Sequence, residues 1–200
     1  NAQQEALIQA VAAKTKTLVV MEAGGPVTME RWKDAAGAIL MAWYPGMEGG
    51  HALADVLFGE VEPGGRLPCT WPTSTTVLPP FRRFTRSVRY GPLHGYRLME
   101  ASGQLPAFWF GHGLGYVTTG WSDPRLVSVT RCDDGSRVAV VEVTVSNPGD
   151  REALDVVQAY VPEVLGTHRH PLNTLRGFAR VVLLPGAEAV ARLAVVVPAA

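Results

Sequence analysis

The sequence feature that most constrains the fold is an uninterrupted apolar run, Ala38–Trp43, which ends sharply at Pro45 and Gly46. Such a run is typical of a strand that is buried on both faces of a parallel sheet. Pro45 cannot donate to a strand ladder, and Gly46 tolerates a sharp turn. Apolar residues then recur at helical spacing, at Ala52, Leu53, Val56 and Leu57. The order of strand, turn and helix predicts half of a βαβ unit.

Glu48 is the candidate site residue of this segment. It follows the carboxyl end of the predicted strand, where ligands bind in open α/β sheets. It also stands in the first turn of the predicted helix, where capping and the helix dipole stabilise an anion. The sequence therefore leaves two interpretations of Glu48, a carboxylate that faces a substrate and one that stabilises a helix.

A second buried parallel strand is predicted over Thr17–Met21, after an amphipathic helix over Gln4–Ala13. Gly24 and Gly25 follow the strand, but neither a Lys-Ser/Thr pair nor the third glycine of a dinucleotide fingerprint is present. We therefore interpret the glycine pair as a turn rather than a nucleotide-binding loop. Two strands and two helices make about half of a doubly wound sheet, so we expect the chain to begin in mid-domain.

The pattern changes to period two after Leu126, and this change predicts an antiparallel β-sandwich. Valine, alanine and leucine alternate at Val127 and Val129, at Val141, Val143 and Val145, at Val157, Ala159 and Val161, and at Leu193, Val195 and Val197. Turn residues separate these runs at Asp133-Asp134-Gly135, Asn147-Pro148-Gly149-Asp150 and Pro185-Gly186. We count about five strands, where a complete sandwich of this kind has about seven.

Three domains are predicted: residues 1–72 as part of an α/β domain, 73–120 as an irregular aromatic connector, and 121–200 as the β-sandwich. Periodicity is lost in the connector, where proline, glycine and aromatic residues dominate. Long irregular segments of compact proteins are usually functional or packed on a neighbouring surface. Aromatic rings favour packing, and we expect Phe108, Trp109 and Phe110 to anchor the connector between domains.

Composition argues against several classes of partner. Lysine plus arginine and aspartate plus glutamate number 18 each, so no broad charge predicts binding to nucleic acid or an anionic membrane. The cluster of Arg82, Arg83, Arg86 and Arg89 is better explained as solvated loop charges than as a phosphate site. No stretch is long enough for a transmembrane helix, and the cysteine content leaves the cellular compartment open.

Neither the cysteines nor the histidines predict a metal or cofactor. Cys69 and Cys132 fall in different predicted domains, so neither a disulfide framework nor a zinc site is expected. The five histidines do not form a set, because His168 and His170 lack a neighbouring cysteine and are too close for one helix face. His112 is expected to make a local structural hydrogen bond.

Several motifs, in order, resemble the second, α/β-sandwich domain of glycoside hydrolase family 3, the β-glucosidases and their relatives. They are Trp43-Tyr44-Pro45-Gly46, Glu48-Gly49-Gly50, Ala54-Asp55-Val56-Leu57-Phe58-Gly59, Pro63-Gly64-Gly65-Arg66-Leu67-Pro68, Gly95-Tyr96-Arg97 and Phe110-Gly111-His112-Gly113-Leu114. The resemblance continues through a fibronectin-type-III-like module to about the last residue. It implies a further hairpin beyond Ala200.

The resemblance implies retaining hydrolysis of terminal, non-reducing β-linked sugars without a metal or organic cofactor. The family's Asp nucleophile lies on an N-terminal (β/α)8 barrel, and its Glu acid/base in many members lies earlier in the α/β domain. No segment here matches either motif, so no catalytic residue is carried over and the chain alone is expected to be inactive. Where the family has Tyr-x-Glu-Gly, this chain has Tyr90 in place of the Glu, which puts any role of that Glu in doubt.

A different class of function remains open at this point, a free-standing carbohydrate-binding or scaffolding module. Trp43, Trp109 and Trp121 could stack on sugar rings in such a module. Half a sheet, however, would leave apolar strand faces uncovered, which an independent module would avoid.

Overall fold

The computed structural model describes residues 2–80, 84–166, 168 and 170–199. Arg82 and Arg83 of the basic cluster lie outside the described residues. The chain forms two compact units: the first spans 1–60, 69–90 and 94–110, and the second spans 61–68, 91–93 and 111–200. The predicted fold class, a partial parallel α/β unit followed by an antiparallel sandwich, is confirmed.

The first unit contains a pair of parallel strands and three α-helices. The helices are α1 (Ala2–Ala12), α2 (Gly49–Leu57) and α3 (Tyr96–Ser102), and the strands are β1 (Leu18–Met21) and β2 (Ala38–Met41), with short 3₁₀ turns at Lys33–Ala35 and Thr75–Val77. β1 and β2 run parallel, with Leu18 opposite Ala38 and Met21 opposite Met41. The strand, turn and helix predicted around β2 and α2 are therefore present.

β2 is shorter and more exposed than predicted. The strand ends at Met41 rather than at Trp43, because Trp43 has a positive φ of 54° that leaves the extended region. Ala38 is exposed, and Ile39 and Leu40 are only half-buried. The prediction of a strand buried on both faces is wrong for the described part of the chain, in which β1 is its only strand neighbour.

The fully buried side chains of the first unit come mainly from segments outside the two strands. Met29, Trp32, Trp71 and Met99 are all buried. Trp71 Nε1 donates to the Val27 carbonyl across 2.7 Å, and the Trp71 N–H donates to the Phe108 carbonyl across 2.8 Å. Segments distant in sequence are therefore joined by hydrogen bonds from the side chain and the backbone of one tryptophan.

The segment predicted to be irregular contains α3, which Gly103 ends in the left-handed conformation (φ 65°). The sequence analysis missed this helix because seven residues are too few to establish a helical period. Phe108 forms an isolated antiparallel bridge with Trp71, and the Phe110 ring lies 5.5 Å from that of Tyr96. The segment is thus tied into the first unit, while the domain bounds and the interdomain role of the rings stay predictions.

The second unit is an antiparallel β-sandwich. Its strands are β3 (Gly120–Trp121), β4 (Arg125–Arg131), β5 (Arg137–Ser146), β6 (Ala153–Glu163), β7 (Leu172–Leu183) and β8 (Glu188–Val197). β5 pairs with β3, β4 and β8 in one sheet, and β6 pairs with β7 in the other. A cluster of buried residues from both sheets fills the interior: Val143, Val145, Ala153, Val157, Val181, Leu183, Ala191, Leu193 and Val195.

β4 departs from the predicted burial. The alternation of Val127 and Val129 predicted the strand, but every residue of β4 is exposed. β4 pairs only with β5, and no described element covers its apolar side chains. The alternation therefore predicted the position of β4 in the chain but did not predict that its apolar side chains are exposed.

Candidate functional site

The candidate site lies where the carboxyl ends of β1 and β2 lead into two loops, residues 22–28 and 42–48. The Ala42 N–H donates to the Met21 carbonyl across 2.9 Å, so the two strands end side by side. A Cβ atom at Gly24 would overlap with the hydroxyl group of Tyr44. The hydroxyl end of the tyrosine in one loop therefore lies against the glycine of the other.

Trp43 begins the second loop with a strained backbone. A positive φ in a bulky residue costs on the order of 1–3 kcal/mol and persists only when packing enforces it. Its ring lies 6.2 Å from the ring of Trp71, with the planes tilted by 54°, and Trp71 is only 1% exposed. Aromatic packing on a buried, hydrogen-bonded indole thus offsets the strain. The loop leaves the strand in a direction set by this pair.

Glu48 lies at the N-cap position of α2, yet its side chain makes no capping hydrogen bond. The Oε2 atom lies 2.8 Å from His51 Nδ1 instead. The two side chains are 81% and 88% exposed, respectively, so their pairing contributes little to stability. Side-chain capping therefore does not explain Glu48, although a favourable interaction with the helix dipole remains.

The exposed groups beside Glu48 suit binding better than bond cleavage. Tyr44 is mostly exposed and Met47 is fully exposed, so an aromatic ring and a carboxylate are both available to a ligand. Aromatic faces and carboxylates are complementary to the C–H faces and hydroxyl groups of sugars. Retaining glycoside hydrolysis requires two carboxyl groups about 5 Å apart, whereas the partner of Glu48 is an imidazole.

Sequence reasoning missed His51 and Trp71 as parts of this region. The signal for His51 was present, because residues three apart on a helix are neighbours. Trp71 had no periodic pattern around it that would indicate burial. The predicted site residue Glu48 is thus placed with His51, and the role of Trp71 is to hold Trp43 rather than to face solvent.

The remaining titratable residues do not assemble into a metal site. In the described part of the chain, no three His, Cys, Asp or Glu side chains are grouped so as to hold a metal. Burial lowers the pKa of His112, and the nearby Arg66 charge lowers it further. Burial raises the pKa of the Cys69 thiol, which makes it a poor nucleophile at neutral pH.

In the part of the chain that the structure describes, no helix is both long enough and apolar enough to cross a bilayer.

Comparison with protein families identifies the chain. Residues 1–116 match the model of the glycosyl hydrolase family 3 C-terminal domain. The chain belongs to glycoside hydrolase family 3. This match covers the first unit and the part of the second that precedes the sandwich strands.

Two family 3 relatives extend the likeness through the sandwich. The chain is 41% identical to a β-glucosidase of Rhizobium radiobacter over 201 residues, which is 95% of this chain and 24% of that protein. It is 39% identical to a periplasmic β-glucosidase of Salmonella typhimurium over 190 residues, with 92% and 24% covered. The chain thus spans about a quarter of the length of the family 3 relatives that it matches.

Solved family 3 structures confirm the fold. β-Glucosidase 3B from Thermotoga neapolitana, solved with glycerol, matches 96% of this chain and 28% of its own, with a TM-score of 0.82 at 28% identity. The β-glucosidase of Kluyveromyces marxianus, solved with glucose, matches 97% of this chain and 23% of its own, with a TM-score of 0.82 at 33% identity.

Proposed function

We propose that the protein carrying this chain is a retaining β-glucosidase that cleaves terminal, non-reducing β-linked sugars, and that this chain is its C-terminal portion. The observation that carries the proposal is the likeness to β-glucosidases over nearly the whole chain at up to 41% identity. The substrate is a β-glucoside or a short oligosaccharide. The reaction uses two carboxyl groups and needs no metal or organic cofactor.

The catalytic segments lie upstream in this proposal, on an N-terminal (β/α)8 barrel and on the preceding part of the α/β domain. Coverage of about a quarter of each relative leaves room for both. This portion completes the sheet of the second domain and holds the domains of the enzyme together. Exposed apolar residues on the β1–β2 pair, such as Leu18 and Val20, support the first role because they suit further packing.

Glu48 contacts the substrate in this proposal and does not act as a catalytic residue. Its support is position: it follows the carboxyl end of a parallel strand, is highly exposed, and has no capping bond that would occupy it. His51 holds one carboxylate oxygen, so the carboxylate is oriented while its remaining lone pairs stay open to sugar hydroxyls.

The activity is tested by comparing the complete protein with this chain alone on an aryl β-glucoside. We expect the complete protein to release the aryl alcohol and its first sugar product to be the β-anomer, as seen by proton NMR. The chain alone should not exceed a heat-denatured control. A complete protein that is inactive on β-glucosides, or an active isolated chain that loses activity on Glu48→Gln substitution, would overturn the proposal.

The role of Glu48 is tested separately in the complete enzyme. Glu48→Gln should raise KM by about tenfold or more, because a hydrogen bond to a charged group is worth roughly 1.5–3 kcal/mol. Glu60→Gln is the matched control, since Glu60 is an exposed carboxylate just beyond the other end of α2. Equal kinetics for both variants and wild type would exclude a substrate contact at Glu48 without affecting the proposed reaction.

A further inference from the structure

The second unit contains an open cavity of about 500 Å³, and none of the residues that line it belongs to the loops that contain Tyr44 and Glu48. Two short segments line it: residues 116–118, just before β3, and residues 148–151, in the turn between β5 and β6. The sequence marked the second segment only as a turn. The volume of the cavity lies in the range of pockets that hold small ligands, roughly 300–1,000 Å³.

The turn that lines the cavity is fixed by a buried amide. Asn147 is 1% exposed, and its Nδ2 donates to the carbonyls of Arg151, Leu183 and Leu184 across 2.8, 3.0 and 3.1 Å. Its Oδ1 accepts from the Gly149 N–H across 2.9 Å. Both ends of the side chain are thus used to hold residues 148–151. A wall held in this way is preorganised, which lowers the entropy cost of binding.

The opposite wall is fixed by contacts to its backbone and to its ring. Glu62 Oε1 accepts from the Tyr116 N–H across 3.0 Å. The Arg151 guanidinium lies 5.2 Å from the centre of the Tyr116 ring, within the range of a cation–π contact. Tyr116 is 48% exposed, so the ring still presents area to the cavity. Arg151 therefore connects the two walls.

The charges at the cavity favour a neutral ligand rich in hydroxyl groups. Asp150 supplies acceptors only and Arg151 supplies donors only, while Thr118 and Tyr116 carry hydroxyls that do both. Within the described residues neither Asp150 nor Arg151 belongs to an ion pair. An anion would meet the carboxylate and a cation would meet the guanidinium. A sugar can satisfy both charges through its hydroxyls and can pack against the aromatic ring.

We propose that this cavity is a non-catalytic saccharide-binding site, with Tyr116 as the packing surface and Asp150 and Arg151 as hydrogen-bonding groups for a β-linked oligosaccharide. The site is built entirely from the second unit, and its saccharide chemistry is argued from these residues, whereas the choice of a β-linked oligosaccharide rests on the proposed function. It differs from the module considered from sequence alone, which relied on Trp43, Trp109 and Trp121. None of those tryptophans lines the cavity.

The experiment uses the complete protein in native gels cast with and without soluble mixed-linkage β-glucan. Wild type should be retarded by the polysaccharide, and Tyr116→Ala and Arg151→Gln should each lose most of the retardation. Arg180→Gln is the matched control, because Arg180 is an exposed arginine of β7 that does not line the cavity. The control should migrate as wild type does in both gels.

Calorimetry with cellotetraose gives the corresponding affinities, which we expect to fall by about fivefold or more in both cavity variants. Thermal melting should stay close to wild type because neither side chain belongs to the buried core. Hydrolysis of an aryl β-glucoside should be unchanged, which separates this site from the catalytic one.

A complete protein that is inactive on aryl glucosides, but whose retardation by the polysaccharide depends on Tyr116 and Arg151, would refute only the proposed function. Wild type without retardation, or cavity variants that are fully retarded, would overturn the saccharide site.

Discussion

Arg66 and Asp155, 89 residues apart in the chain, form an ion pair in the second unit, in which the guanidinium donates to Asp155 Oδ1. The same carboxylate accepts from the Thr119 hydroxyl, from Trp121 Nε1 at 3.0 Å and from the Val156 N–H at 2.7 Å. Burial raises the pKa of Asp155, but the hydrogen bonds from Thr119, Val156 and Trp121 and the charge of Arg66 together lower it below its ordinary value. One buried carboxylate of β6 thus binds two other segments of the second unit, the one that contains Arg66 and the one that contains Thr119 and Trp121.

Asp155→Asn should destabilise the protein by about 2–4 kcal/mol, because it removes the charge that Arg66 neutralises and leaves fewer acceptors for the donors around it. The measurement is the thermal midpoint of the complete protein, which should fall by several degrees. Glu152→Gln, at an exposed carboxylate three residues away, should leave the midpoint unchanged. A similar midpoint in both variants would mean that the Asp155 network contributes nothing.

The lowered pKa of His112 predicts a stability that depends on pH in the mildly acidic range. The folded pKa lies below the unfolded value of about 6.5, so the unfolded chain binds a proton first as the pH falls. The stabilising contribution is complete above pH 6.5 and is lost as the pH decreases towards the folded pKa. Urea midpoints at pH 7.5 and 5.5 should differ less in His112→Gln than in wild type. Equal differences would show that His112 titrates normally.

Gly46 and Gly49 should resist substitution for different reasons. Gly46 has a φ of 74° and open space around it, so valine there is opposed by backbone strain. A Cβ at Gly49 would lie 2.6 Å from two atoms of Pro45, so valine there is opposed by a clash. Each variant should lose about 1–3 kcal/mol, measured as a lower melting midpoint.

Gly50 provides the control for both variants, because it lies in α2 with nothing within 4 Å of a Cβ. Gly50→Ala should be neutral or stabilising by up to about 1 kcal/mol, as alanine is the better helix former. Valine variants at Gly46 and Gly49 that melt within a degree of wild type would refute the turn assignment.

Asn147→Ala should lower stability by about 1–3 kcal/mol, since three carbonyls and one N–H lose a buried partner. Asn147→Asp should be at least as harmful because it replaces the donor group by a second acceptor. Ser122→Ala, just after β3, removes only hydrogen bonds at an exposed position and should cost less. Hydrogen exchange at Gly149 is the local measurement, and unchanged protection in Asn147→Ala would contradict the role given to this side chain.

Regular periodicity made much of the fold predictable. Alternation at Val141, Val143 and Val145 predicted β5, and the apolar run before Pro45 predicted β2. Periodicity did not predict α3, which is short, or the exposure of β4, because alternation says that two faces differ without saying what covers them. The end of β2 depended on the φ of Trp43, which is set by packing on Trp71 and has no local signature.

The candidate site was predictable in position but not in contacts. The placement of Glu48 after a parallel strand followed from topology. The spacing of three residues made His51 a neighbour of Glu48 on the helix, but the contact between the two side chains also depended on their rotamers, which the sequence leaves open. The cavity between Tyr116 and Arg151 was beyond sequence reasoning because its two walls are separated by about thirty residues and contain no recognisable motif.

Trp43 combines an unfavourable backbone with a favourable ring, and this limits what can replace it. Glycine would relieve the strained φ but would forfeit the contact with Trp71, whereas other aromatic residues would keep a ring and retain the strain. No single substitution both relieves the backbone strain and keeps the aromatic contact. The position should therefore tolerate few alternatives in a mutational scan, and its tolerance should change when Trp71 is varied at the same time. Under substitution, the two tryptophans should therefore behave as one coupled pair rather than as two independent sites.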